Sequence, residues 1–169
     1  MFVIPTGIKN VEVSLITDEN YFSVVKSLLN KYRKLVWTSI FIIDLNTSNQ
    51  NFMKVHELLV SLKNAEWEGS DVKLIVSGSK TNLSIANTSL AASYLIDSMQ
   101  LPYKILMTKN KETSHVKMLI IDDMVILGSH NWSPGSFGGQ TQDSVLVKSK
   151  EFSAYCQLLF KHQWFKNVK

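Results

Sequence analysis

Residues 11–16, Val-Glu-Val-Ser-Leu-Ile, alternate apolar and polar side chains with the two-residue period of a half-buried strand. Over residues 21–32, Tyr21, Val24, Val25, Leu28, Leu29 and Tyr32 recur at three- and four-residue spacing, which predicts an amphipathic helix. Residues 35–43 are rich in β-branched and aromatic side chains and read as a buried strand. The alternation then repeats: helix 51–65, strand 71–76, helix 84–99 stopped by Pro102, strand 103–107. Two more strands, 115–121 and 125–128, lie too close together for anything but a hairpin. A Gly/Ser-rich loop over 131–141, a strand over 144–147 and a helix over 151–165 complete the chain.

Strands alternating with helices predict an α/β fold, and the hairpin makes its central sheet mixed, with helices on both faces. The 169 residues are one domain's worth, 1–169, and 45% hydrophobic content supplies a full core. A single cysteine, Cys156, excludes an internal disulfide and reads as buried and inert. No basic start followed by an apolar run and a cleavage site opens the chain, and no apolar stretch approaches a membrane span. The expectation is a cytoplasmic location. Net charge is +4, and the whole excess lies in residues 101–169. That half therefore suits an anionic partner.

The chemistry-bearing run is His115-Val116-Lys117, then Asp122, then Gly128-Ser129-His130-Asn131-Trp132. His115 and Lys117 share a strand face, and Asp122 has the opposite parity. A three-residue turn at 122–124 would pair Lys117 with Ser129 and His115 with Asn131, bringing four polar groups onto one face. A two-residue turn would shift that register and scatter them. Lys117, Asn131 and Ser129 offer the donors that a tetrahedral phosphate needs, and Gly128 permits close backbone approach. His115 can serve as nucleophile or proton carrier near neutral pH. Asp143 is the candidate acceptor to orient it. No cysteine or carboxylate cluster accompanies the histidine, so a metal site is unsupported.

This run resembles the signature of the phospholipase D superfamily: His-x-Lys, four residues, Asp, a spacer, then Gly-Ser-x-Asn. His115, Lys117, Asp122, Gly128, Ser129 and Asn131 match it. The spacer has five residues here where the family usually has six. The order of elements looks like that family's domain over nearly the whole chain. The resemblance implies catalytic roles for His115, Lys117, Asn131 and Asp143, a structural role for Asp122, and a covalent phosphohistidine formed without metal or cofactor. Two His-x-Lys units are then required, and this chain carries one, which implies a homodimer with a composite site. Short single-motif members resemble nucleases, so DNA or RNA is the expected substrate. Gly128, Ser129, Lys109, Lys111 and Trp132 are the candidate binding residues, with Trp132 stacking on a base and Lys104 near flanking phosphates. The alternatives are a phospholipid phosphodiesterase, for which Trp132 and Phe137 would form an apolar surface, and a non-catalytic nucleic-acid-binding module.

Overall fold

The structure, a computed structural model, describes residues 7–9, 11–31, 33–107 and 113–165. Tyr32, Lys109 and Lys111 lie outside these residues. The order is β1 (Glu12–Thr17), α1 (Asn20–Leu29), β2 (Leu35–Ile40), α2 (Phe52–Trp67), β3 (Asp71–Ser77), α3 (Leu83–Ser98) and β4 (Tyr103–Leu106). Then follow β5 (Lys117–Ile121), β6 (Met124–Gly128), β7 (Asp143–Lys148) and α4 (Lys150–Phe165). One mixed sheet carries the strands in the order β1-β7-β6-β5-β2-β3-β4. The α/β expectation holds, and the strand and helix boundaries fall close to those the hydrophobic periods predict.

β2, β3 and β4 are parallel, joined by the crossover helices α2 and α3, while β1, β7, β6 and β5 form an antiparallel half. The two halves meet where β2 pairs with β5. Strand parity sorts the core into two layers. Ile40, Leu74, Leu119 and Ile126 pack beneath α1, α2 and α3 with Val25, Leu58 and Ile96. Trp37, Ile75, Met118 and Ile120 face α4 through Cys156 and Phe160. Burial pushes the Cys156 thiol up to about 11, so it stays protonated.

The β5–β6 turn has two residues, Asp122 and Asp123: Ile121 pairs with Met124 and Met118 with Leu127. This corrects the three-residue turn expected above. Asp122 takes φ +49, a left-handed conformation that Asp tolerates better than most residues. Its carboxylate also has work there. Asp122 Oδ1 accepts from the Lys34 and Leu35 N–H groups, both at 3.0 Å, and the Asp122 N–H donates to Leu35 O at 3.1 Å. Ser153 Oγ on α4 donates to the Asp122 carbonyl. The turn is thus tied to the start of β2 and to α4.

Continuing the two-residue register places Lys117 opposite Gly128, at the far end of the hairpin from Asp122. At that edge of the sheet β1, β2, β3, β4 and β6 end while β5 and β7 begin. Asp122→Ala should lower unfolding free energy by about 2–3 kcal/mol, through two lost charge-assisted bonds and a strained backbone. Urea unfolding measures it. A change under about 0.5 kcal/mol, the range of ordinary surface substitutions, would show that the turn does not hold β2.

Candidate active site

The edge opposite Asp122 carries most of the candidate residues. His115 precedes β5 and is exposed, whereas Lys117, the first residue of β5, is only 8% exposed. Lys117 folds back onto the segment it follows. Its Nζ donates to the His115 carbonyl at 3.1 Å and lies 3.1 and 3.3 Å from the two ring nitrogens. Ser77 Oγ at the end of β3 donates to the Ser114 carbonyl, so the backbone around His115 is held from both sides.

Ile40 pairs with Lys117, and the next residue, Phe41, sits against the histidine. The Phe41 and His115 ring centroids are 4.3 Å apart at 52°, and Lys117 Nζ lies 4.9 Å from the Phe41 centroid. The following residue, Ile42, donates its N–H to Asn131 Oδ1 at 3.3 Å. The Asn131 amide N–H groups make no hydrogen bond among the described residues, which leaves two donors for a ligand. His115, Lys117 and Asn131 are therefore gathered by the Phe41–Ile42 segment, not by direct pairing across the hairpin. Phe41 is the residue that sequence reasoning missed, because its role exists only once β2 and β5 are in register.

Electrostatics at this edge have one dominant cause. Burial lowers the pKa of Lys117. His115 is also lowered, first by desolvation and then by the Lys117 charge. The site therefore favours the neutral form of the imidazole, beside a cation that has no carboxylate on it among the described residues.

The remaining candidates divide. Ser129 sits on the β7 backbone, donating to Asp143 O and accepting from Asp143 N, both at 3.1 Å. Gly128 is required by the close approach of β7, since a Cβ there would meet Ser144 Oγ at 2.1 Å and Ser144 Cα at 2.4 Å. No hydrogen bond joins Asp143 to His115 among the described residues; Asp143 bonds Ser129 through its backbone, and the histidine that feels its charge is His130. Asp122 lies at the other end of the sheet in a structural role. Lys104 is held by α4, donating to Trp164 O at 2.6 Å and lying over the Trp164 ring.

Trp132 corrects a further expectation. It is fully buried, donates Nε1–H to Tyr21 Oη at 3.3 Å, and bridges Ile43. It cannot stack on a base. Phe137 is fully buried too, so these two rings form no apolar surface for a lipid. His130 is also internal: it stacks on Tyr21 at 4.4 Å, donates Nε2–H to Asp18 O at 3.0 Å, and accepts from the Ser144 hydroxyl at 2.7 Å. Among the described residues no group of three or more His, Cys, Asp or Glu could hold a metal ion.

A family model described as the PLD-like domain of cardiolipin synthase matches residues 25–164. The fold is similar to that of Nuc from Salmonella typhimurium, a phospholipase D family member, with a TM-score of 0.72 and 16% identity over 92% of this chain and 95% of that one. NucT from Helicobacter pylori gives 0.66 and 18% identity over 92% and 96%. Phosphatidylserine synthase from Haemophilus influenzae gives 0.67 and 13% identity over 93% of this chain and 37% of that one. No curated protein sequence matches the chain. At such identities the structural likenesses speak to fold alone.

Trp132→Ala should cost about 3–5 kcal/mol of stability, as for other buried tryptophans. Urea unfolding measures it. A change under about 0.5 kcal/mol, the range of ordinary surface substitutions, would return Trp132 to the surface.

Proposed function

Since the chain belongs to the family of PLD-like (phospholipase D-like) domains, we propose that it is a metal-independent phosphodiesterase, an endonuclease that hydrolyses DNA or RNA. The observation that carries this reading is Lys117: an ammonium 8% exposed, touching an imidazole, a carbonyl and an aromatic face but, among the described residues, no carboxylate. A buried cation without an anion is costly. A phosphodiester at the open edge of the sheet supplies the missing charge.

In the proposed reaction a neutral His115 nitrogen attacks phosphorus, and the bond to the leaving oxygen breaks. Lys117 and the free amide donors of Asn131 hold the non-bridging oxygens, where negative charge builds. The leaving oxygen takes a proton from a second histidine, supplied by a second copy of this chain across a two-fold axis. Water, giving its proton back to that histidine, then attacks phosphorus and releases His115. Neutral His115 is the reactive form. Because its pKa is lowered, the acid limb of the rate profile should fall below the ordinary imidazole value of about 6.5.

The second reading is a phospholipid phosphodiesterase, favoured by the cardiolipin synthase description of the matching family model. One experiment separates the readings. The full chain is incubated with EDTA and, in parallel, plasmid, single-stranded DNA, RNA and phospholipid vesicles. Nucleic-acid cleavage that survives the chelator and falls roughly 10³-fold or more in His115→Ala is the expected result. Turnover of lipid alone overturns the nuclease. Salt-sensitive binding without turnover makes the chain a binding module. A monomer by sedimentation that retains full activity overturns the composite site.

A further inference from the structure

We propose that a cleft between α4 and the starts of β2 and β3 is a second binding site, for a nucleotide held by its base on Phe165 and by its phosphate on Lys161 and Lys73. The cleft has a volume of about 380 Å³ and is lined by Trp37, Lys73, Phe160, Lys161, Trp164 and Phe165, among others. That volume falls within the range of small-molecule sites. The cleft lies at the end of the sheet that carries Asp122. β2 runs from Leu35, in the cleft, to Ile40 opposite Lys117, about 17 Å at roughly 3.3 Å per residue. A ligand here is therefore distinct from one at His115, and the proposal does not rest on the reaction assigned to that histidine.

Floor and wall of the cleft are aromatic. Trp37 is buried and stacks on Phe160 with centroids 5.1 Å apart, and Phe160 stacks in turn on Trp164 at 5.9 Å. The indole edge is fixed as well, since Trp37 Nε1–H donates to Asp71 Oδ2 at 3.0 Å. Phe165 follows at the rim. It stays 69% exposed and has no ring partner among the described residues. An open phenyl ring beside a rigid aromatic stack offers a planar ligand a face, and every nucleobase has a π-face to lay on it.

The charges call for an acid on the same ligand. Lys73 and Lys161 both bring their ammonium groups to the Trp37 ring, 4.8 and 5.5 Å from its centroid. Two cations on one ring repel each other. Asp71 is the one carboxylate among the described residues that line the cleft, and it is paired with Lys73. Lys161 has no carboxylate partner among the described residues. The end of α4 does not oppose an anion strongly, because Lys104 lies over the Trp164 ring and donates to the Trp164 carbonyl. Gln157 adds an acceptor for a base edge: its Nε2 donates to Ser153 Oγ, and its Oε1 has no partner among the described residues. A bare anion would leave the Phe165 face open, and an apolar ring would leave Lys161 without a counter-charge. A nucleotide meets both.

The test titrates the full chain, in EDTA, with adenosine 5′-monophosphate, adenosine and inorganic phosphate in separate series. The readout is the NMR signal of the Trp37 indole N–H, assigned by its loss in Trp37→Phe. The nucleotide should move that signal saturably at millimolar concentration or below. Adenosine and phosphate should each bind more weakly. Lys161→Ala and Phe165→Ala, both at exposed positions, should each weaken the nucleotide about tenfold. His115→Ala should titrate as the parent does. A Trp37 signal that the nucleotide leaves unmoved overturns the proposal, as does parental affinity in either cleft variant. Phosphate or adenosine binding as tightly as the nucleotide overturns it too, because one half of the ligand would then be idle. The readout needs no cleavage. A moved Trp37 signal in a chain that cleaves nothing refutes the nuclease and spares the cleft, and an active chain with an unmoved signal refutes the cleft alone.

Discussion

The antiparallel pairing of β2 with β5 is the constraint on which the rest of the molecule depends. It joins a parallel half built on crossovers to an antiparallel half built on hairpins. It is set at one end by Asp122, whose carboxylate takes the Lys34 and Leu35 N–H groups. From there the ladder runs Val36 against Ile121 to Ile40 against Lys117. That is about 17 Å of strand, at roughly 3.3 Å per residue. A slip of one residue would turn every side chain of β5 to the other face. Leu119 and Ile121 would leave the larger core layer, and Lys117 would leave Phe41. The acidic residue of the signature therefore acts on the site through register alone.

The layered α/β architecture was readable because both hydrophobic periods are strong. Helical spacing after Tyr21 and apolar runs in 35–43 and 71–76 each leave one solution for burial, whereas the alternation in 11–16 misleads: Val11, Val13 and Leu15 stay exposed and Ile16 is the residue buried. The turn length was not readable from the same signals. Two or three residues at Asp122 leave the hydrophobic pattern of β5 almost equally buried. What decides is a left-handed Asp122 whose carboxylate has partners 87 and 88 residues away along the chain. The polar cluster survives the change of register because His115, Ser129 and Asn131 lie beyond the strand ends. There the chain is steered by individual hydrogen bonds instead of pleat parity.

Trp132 was misplaced for a related reason. A tryptophan beside a polar motif in a glycine-rich stretch has no periodicity to place it. In the structure the chain after Gly128 turns back across β2, where Trp132 bridges Ile43 and its carbonyl accepts from the Asp44 N–H at 2.8 Å. That bridge carries the indole under the sheet edge to Tyr21, where burial holds the phenol up at about 12. His130 enters the same interior, fixed between Asp18 and Ser144. The stretch from Gly128 to Trp132 thus sends alternate groups inward and leaves Asn131 at the edge.

One consequence concerns where protons come from. Loss of water and, after it, the Lys117 charge lower the pKa of His115, which favours the neutral form that the proposed attack on phosphorus needs. A phosphodiester cleaved through histidine still needs a proton for its leaving oxygen. The other histidines of the chain do not meet that need at this edge. His130 is spent on two internal hydrogen bonds, His56 lies on α2 against Phe52, and His162 lies on α4. On the proposed reading, the second copy is then a chemical requirement before it is a structural one, because one imidazole cannot bond to phosphorus and protonate the leaving oxygen in the same step.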